Sequence, residues 1–285
     1  MLMPLSITKI ILITLITSLS LGGCFHANDP QDDELPDTGA PVYSLNDTGA
    51  TSFLSETVDA DNNSTYAFAA TASQSLPGQD AASGRDLSAR DDSDGVVGFS
   101  FSKLDSMGVP LVVQSDRYEK SPWSCVRDNT TGLTWEIKTN TGLQNTIHRF
   151  TWYDTDTTSN GGNVGEIGDA TSCGDELSNC NTQAYITEIN SLNGSGLCQY
   201  TDWRLPTREE LRSLIHYGKE KGDSMIDTSY FPFTSPTDHW TSQTAIYADI
   251  NGSMAWEVHF EGGHSEAHAK QSSHVAVRLV RGPSK

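Results

Sequence analysis

The chain has 285 residues and carries 37 acidic against 18 basic side chains, a formal charge of −19. So acidic a surface repels polyanions, and no basic stripe interrupts it, which sets nucleic-acid binding aside. The length supports one domain with a sizeable core, and the composition shifts along the chain show where that core lies.

In chain order, Lys9 is followed by an apolar run from Ile10 to Leu21 and then by Gly22-Gly23-Cys24. The run is too short for a membrane span and has the positive, apolar and small-residue order of a secretory signal over residues 1–23. The Leu21-Gly22-Gly23-Cys24 ending resembles the bacterial lipobox, which implies lipidation of Cys24 as the first mature residue. Two or three acyl chains there would anchor the protein to the bacterial membrane essentially permanently, because one chain alone holds only marginally. An aspartate after the cysteine favours inner-membrane retention in diderm lipoproteins. Phe25 therefore points, by the same resemblance, to an outer-membrane lipoprotein facing either the periplasm or the exterior. Residues 24–42 hold five acidic side chains among Pro and Gly and read as a disordered tether.

Residues 43–122 are poor in large apolar groups and read as a polar extension that packs an edge strand or two onto the core. Val96–Phe101 and Val109–Val113 are the strand candidates. Asp91-Asp92-Ser93-Asp94-Gly95 offers oxygen ligands for calcium on a tight turn, as does the Asn- and Asp-rich stretch 154–181. Arg90 stands where an EF-hand needs its first acidic ligand, so a plain acidic turn is the simpler reading, and no other cofactor is indicated.

All six tryptophans fall after residue 122, which places the packed core in 123–282. An Asn129-Thr130-Thr131-Gly132 turn leads into a strand over Gly132–Ile137. Thr182 is placed to cap a helix with Tyr185, Ile186, Ile189 and Leu192 as its apolar stripe. Trp203-Arg204-Leu205-Pro206 leads to Thr207, and Glu210 three residues on completes a capping box ahead of Leu211, Leu214 and Ile215. Trp240–Ile246 reads as a strand, followed by one in which Trp256, Val258 and Phe260 point inward and Glu257 and His259 outward. Val275, Val277 and Leu279 alternate in the last. The sum is an α+β fold: a compact mixed domain of antiparallel strands, two short helices and long loops.

With Cys24 set aside, Cys125, Cys173, Cys180 and Cys198 remain, an even number suited to an oxidising compartment and open to three pairings. The short polar loop from Cys173 to Cys180 favours a local bridge, with Cys125 and Cys198 then tying the start of the core to its middle. The four show no pair of Cys-x-x-Cys spacings, so zinc is disfavoured. His259, Glu261, His264, Glu266, His268 and His274 gather around a Gly-Gly break, but their separations match no compact metal motif. They read as a solvated hairpin with no metal.

Several segments together resemble the Lcl C-terminal domain family. They are Asp128–Glu136, Thr151-Trp152-Tyr153, Thr182–Ile186, Asp202–Leu211, Asp227–Pro232, His239–Ser242, Ala255–Phe260 and Val277–Arg281. The resemblance implies a fold related to C-type lectin-like domains and a role in attachment at the bacterial surface. The family's sulfated-glycan ligand fits poorly with the acidic excess, and the chain has no collagen repeat. The C-type lectin calcium triplet is also missing.

No nucleophile elbow, zincin motif or phosphate loop is present, so no catalytic residue is named and no enzyme is expected. Arg204, Trp240 and Trp256 are the candidates for ligand contact, although helix capping and core packing explain all three as well. The expected function is a lipid-anchored envelope module that binds a carbohydrate or matrix protein. A structural or assembly subunit of an envelope complex is the alternative.

Overall fold

The computed structural model describes residues 46–50, 53–58, 64–69, 84–85, 93–96, 98–219, 224–246 and 250–282. The signal segment, Cys24, the tether over 24–42 and the pair Asp91-Asp92 lie outside the described residues.

Strands β1 (Phe53–Val58) and β2 (Ser64–Ala69) form an antiparallel hairpin, registered from Phe53 opposite Ala69 to Val58 opposite Ser64. Small and polar residues alternate weakly with apolar ones in both, which is why the hairpin gives no signal in the patterning above. A four-stranded antiparallel sheet runs in the order β3 (Phe101–Leu104), β4 (Cys125–Asp128), β5 (Thr134–Glu136) and β9 (Val280–Arg281). A three-stranded antiparallel sheet is made of β6 (Asp238–Thr244), β7 (Met254–His259) and β8 (Ser265–Ala269).

The turn between β4 and β5 is built by one carboxylate. Asp128 Oδ1 accepts from the backbone N–H groups of Thr130 (2.9 Å) and Thr131 (3.0 Å), and Gly132 closes the turn at φ 74°. A side chain there would have to adopt the left-handed region that glycine tolerates. Burial pushes the Asp128 carboxyl upward, against these hydrogen bonds, which favour its charged form.

Three strand expectations need correction. The last strand, read over Val275–Leu279, is only isolated bridges at Val275 and Ala276, made to Phe150 and His239, with the strand itself confined to Val280–Arg281. The Val96–Phe101 strand begins only at Phe101, and Val109–Val113 forms no strand at all. The segment meets β3 only in a single antiparallel bridge of Pro110 with Leu104, flanked by Asp105 N–H to Val109 O (2.9 Å) and Leu111 N–H to Lys103 O (2.9 Å), after which the Gln114 amide takes over the edge. Lys103 N–H donates to Gln114 Oε1 (2.7 Å), and Gln114 Nε2 donates back to Lys103 O (3.1 Å). Val112 is left fully exposed.

Helix α1 (Thr182–Ser191) buries Tyr185 and Ile189, but its cap is Asn181, whose side chain accepts from Ala184 N–H at 2.8 Å. The Thr182 hydroxyl, expected to cap, instead ties the helix start to Tyr153. It accepts from the Tyr153 N–H (2.9 Å) and donates to its carbonyl (2.8 Å). Helix α2 (Arg208–Arg212) has the full capping box of Thr207 and Glu210. In β7 the inside–outside reading fails at two positions, because Trp256 is partly exposed and Glu257 is fully buried. The sheet has packing on both faces, with α2 against one of them, so a two-residue period cannot pick out a single inner face.

Buried side chains fall into two clusters. One gathers Phe101, Trp123, Trp135, Leu211, Ile215 and Phe231, the other Phe150, Trp152, Tyr185, Trp203, Trp240 and Leu279. Disulfides Cys125–Cys198 and Cys173–Cys180 close loops of 73 and 7 residues. The stretch 154–181 is held by repeated side-chain turns, in which Asp154, Asp156, Asn160, Asn163 and Asp169 each accept from the N–H two residues on. Those oxygens serve the backbone, and among the described residues no three acidic, histidine or cysteine side chains of this loop gather as a metal-binding group. The ammonium of Lys270 adds a clamp, donating to the Asn160 (2.8 Å) and Asn163 (2.7 Å) carbonyls above the Trp152 ring.

Beneath the two clusters lies a charged network centred on Glu136, which is 0% exposed. Its Oε1 accepts from Lys138 Nζ (3.0 Å), Tyr185 Oη and Gln144 Nε2 (3.3 Å), and its Oε2 from Leu279 N–H (2.9 Å). Arg278, also buried, donates to the Glu136 carbonyl (2.6 Å) and to Thr234 Oγ1 (2.8 Å).

Candidate binding face

The three side chains singled out for ligand contact have different fates. Arg204 lies in an extended segment bridged to Val280. Its guanidinium grips both oxygens of Glu210 at 2.7 Å, while Glu210 Oε2 also accepts from Thr207 N–H (2.8 Å). That fork is spent on holding the entry to α2. Trp240 is fully buried, with its indole N–H donating to Phe150 O (2.8 Å), so it is corrected from ligand candidate to core. Trp256 is the reverse case. The Arg208 guanidinium lies 4.3 Å over its ring, and Arg208 also pairs with exposed Glu209 (2.9 Å). A partly exposed indole beneath a cation gives that surface an aromatic, polar character.

A larger concavity forms elsewhere. Two open cavities of about 530 and 410 Å³ adjoin along Lys103, Ser115 and Ser229 and together make a cleft divided by these residues. β3 carries Lys103 to its floor, where Nζ donates to the carbonyls of Gln114 (2.8 Å) and Asp116 (2.9 Å). The ammonium also lies 4.4 Å over the Trp123 ring and 4.8 Å over that of Tyr230. Burial lowers the Lys103 pKa, and the Asp227 and Asp116 carboxylates oppose that. Around this floor stand the Ser115 and Ser229 hydroxyls and the Asp116 and Asp227 carboxylates. The cleft thus sets a buried ammonium, with the buried Trp123 and Tyr230 rings beneath it, inside a rim of hydrogen-bonding groups. Asp227–Tyr230 belongs to one of the family-like segments, but Lys103 lies 124 positions earlier in the chain, and nothing local says that they meet.

A third feature lies on the three-stranded sheet. The register sets Trp240 opposite Glu257 and Glu257 opposite Glu266, while Asp238 lies one pair along on the same face. One carboxylate oxygen from each of Asp238, Glu257 and Glu266 falls within 4.8 Å of the others. Among the described residues no other group of three acidic, histidine or cysteine side chains gathers in this way. Burial, followed by the charges of Asp238 and Glu266, raises the Glu257 carboxyl to about 8. Of the expected hairpin cluster, only Glu266 joins this group; His268 contacts Glu257 (3.1 Å) and His259 faces Asp238 (4.0 Å). The six residues of that hairpin are themselves exposed or half-buried, and the buried member of the acidic group, Glu257, comes from the preceding strand.

These features define a disulfide-linked α+β domain with an open polar cleft and an acidic sheet face. Residues 124–281, more than half of the chain, match the Lcl C-terminal domain family, and the chain belongs to that family. No curated protein and no solved structure matches it. One wall of the cleft, from Lys103 to Trp123, precedes the matched residues, so the cleft joins the family domain to a segment outside it.

Proposed function

We propose that the chain is an outer-membrane lipoprotein, anchored through lipid on Cys24, whose domain binds a carbohydrate or matrix protein without catalysis. The observation that carries the binding role is the Lys103 cleft, open and rimmed by hydroxyls and carboxylates, with Lys103 at its floor. Hydroxyls and carboxylates converging on an open polar cleft can hydrogen-bond the hydroxyls of a sugar, and the acidic surface selects against sulfated ones. Membership in the Lcl C-terminal domain family supports the same reading. The test is an array of immobilised neutral glycans and matrix proteins probed with the full chain in mild detergent. Ser115→Trp, a substitution at an exposed rim position, should abolish binding without changing the melting temperature. No binding above background, or equal binding by this variant, defeats the reading.

The anchor is tested separately by metabolic labelling with an alkyne fatty acid, which should mark the wild type and not Cys24→Ser. One observation favours the alternative of an assembly subunit. Met107, Val109 and Val112 each expose an apolar side chain within one short segment that follows β3. Co-purification of one stoichiometric envelope partner, lost on changing these three to serine, would support it.

A further inference from the structure

We infer that Asp238, Glu257 and Glu266 form a binding site for one divalent cation of the oxygen-preferring class, such as Ca²⁺ or Mn²⁺. The register is the first reason. Glu257 and Glu266 are direct cross-strand partners on one face, and like charges so placed repel unless a counter-charge joins them. No lysine or arginine among the described residues pairs with any of the three carboxylates; only imidazoles approach them.

Burial is the second and independent reason. Glu257 is 0% exposed, yet its Oε2 has no hydrogen-bond partner, and neither does the buried Oδ1 of Asp238. Buried polar atoms are almost always satisfied, and an orphan in a native fold calls for an explanation. Here two orphaned oxygens belong to the same cluster of three carboxylates. A cation between them satisfies both and discharges the repulsion at once.

The imidazoles indicate which cation. Gly262 N–H donates to His259 Nδ1 (3.1 Å), which in the neutral ring leaves the proton on the nitrogen facing Asp238. His268 gives its Nδ1–H to Glu257 Oε1 (3.1 Å). The His268 ring therefore orients the Glu257 carboxylate from outside, His259 turns an N–H and not a lone pair toward Asp238, and the ligand atoms left over are all oxygen. Hard cations take such a donor set, and the outer edge at exposed Glu266 leaves room for water to complete the coordination. The site is separate from the Lys103 cleft and does not depend on what the cleft binds.

The test uses the full chain in mild detergent, stripped with chelator and then titrated with Ca²⁺ or Mn²⁺ by calorimetry and thermal melting. One saturable site is expected, with a dissociation constant at or below about 1 mM and a higher melting temperature when filled. Glu266→Gln, at the exposed ligand, should weaken binding about tenfold or more while leaving the melting of the stripped protein unchanged. His264→Gln, beside the site but outside the donor set, should bind as the wild type does. No saturable binding of either cation overturns the inference, and would mean that a proton discharges the cluster. So would undiminished binding by Glu266→Gln, or saturation by Zn²⁺ alone.

Discussion

Glu136 and Glu257 are both 0% exposed, both sit on central strands of antiparallel sheets, and they are handled in opposite ways. Both oxygens of Glu136 are satisfied, by an ammonium, a phenol, an amide and a backbone N–H, with Arg278 on its carbonyl. Glu257 has one imidazole on one oxygen, nothing on the other, and two further carboxylates for neighbours. A closed network of this kind specifies a core, whereas a half-satisfied cluster of like charges asks for something from outside. Burial alone does not distinguish structural from functional acids; the count of partners does.

Four measurements break or sharpen this contrast. Glu136→Gln leaves buried Lys138 and Arg278 without their anion, and should cost about 3–5 kcal/mol in denaturant unfolding. Replacing Cys125 and Cys198 together by alanine releases the 73-residue loop and should cost about 4 kcal/mol, against about 2 for the 7-residue loop of Cys173 and Cys180. Thr207→Ala removes the hydroxyl that accepts from Glu210 N–H and should cost about 1 kcal/mol. Glu257→Gln in cation-free protein should do the reverse of Glu136→Gln, leaving stability unchanged or raised by up to about 1 kcal/mol as like-charge repulsion is relieved. Destabilisation by Glu257→Gln equal to that of Glu136→Gln would erase the distinction.

What could be read from sequence follows the range of the interaction. The box from Thr207 to Glu210 and the turn from Asp128 to Thr131 each span four residues, so both are written in neighbouring letters. The apolar burial of Trp203 and Leu205 needed only the residue types. The Asn181 cap was missed by one position because Asn181 and Thr182 are both competent caps, and only the contact with Tyr153 decides between them. Placing Glu257 outward was the costlier error. Its burial depends on the pairing of Trp240 with Glu257 and on packing across both faces of the sheet, which no single strand displays. The Lys103 cleft was hidden for the same reason, being assembled from β3, the segment after it and the turn at Asp227–Tyr230.

Strand β9 is only two residues long, yet it is stitched on both sides, to Thr134 and Trp135 of β5 and, through Val280, to Arg204. Arg281 adds a fork to Asp202 at 2.8 and 3.1 Å. During synthesis the first sheet therefore waits with an open seam until nearly the whole domain has left the ribosome. The domain should acquire its protease resistance in one late event, and trimming a handful of residues from Val280 onward should undo far more than their number suggests.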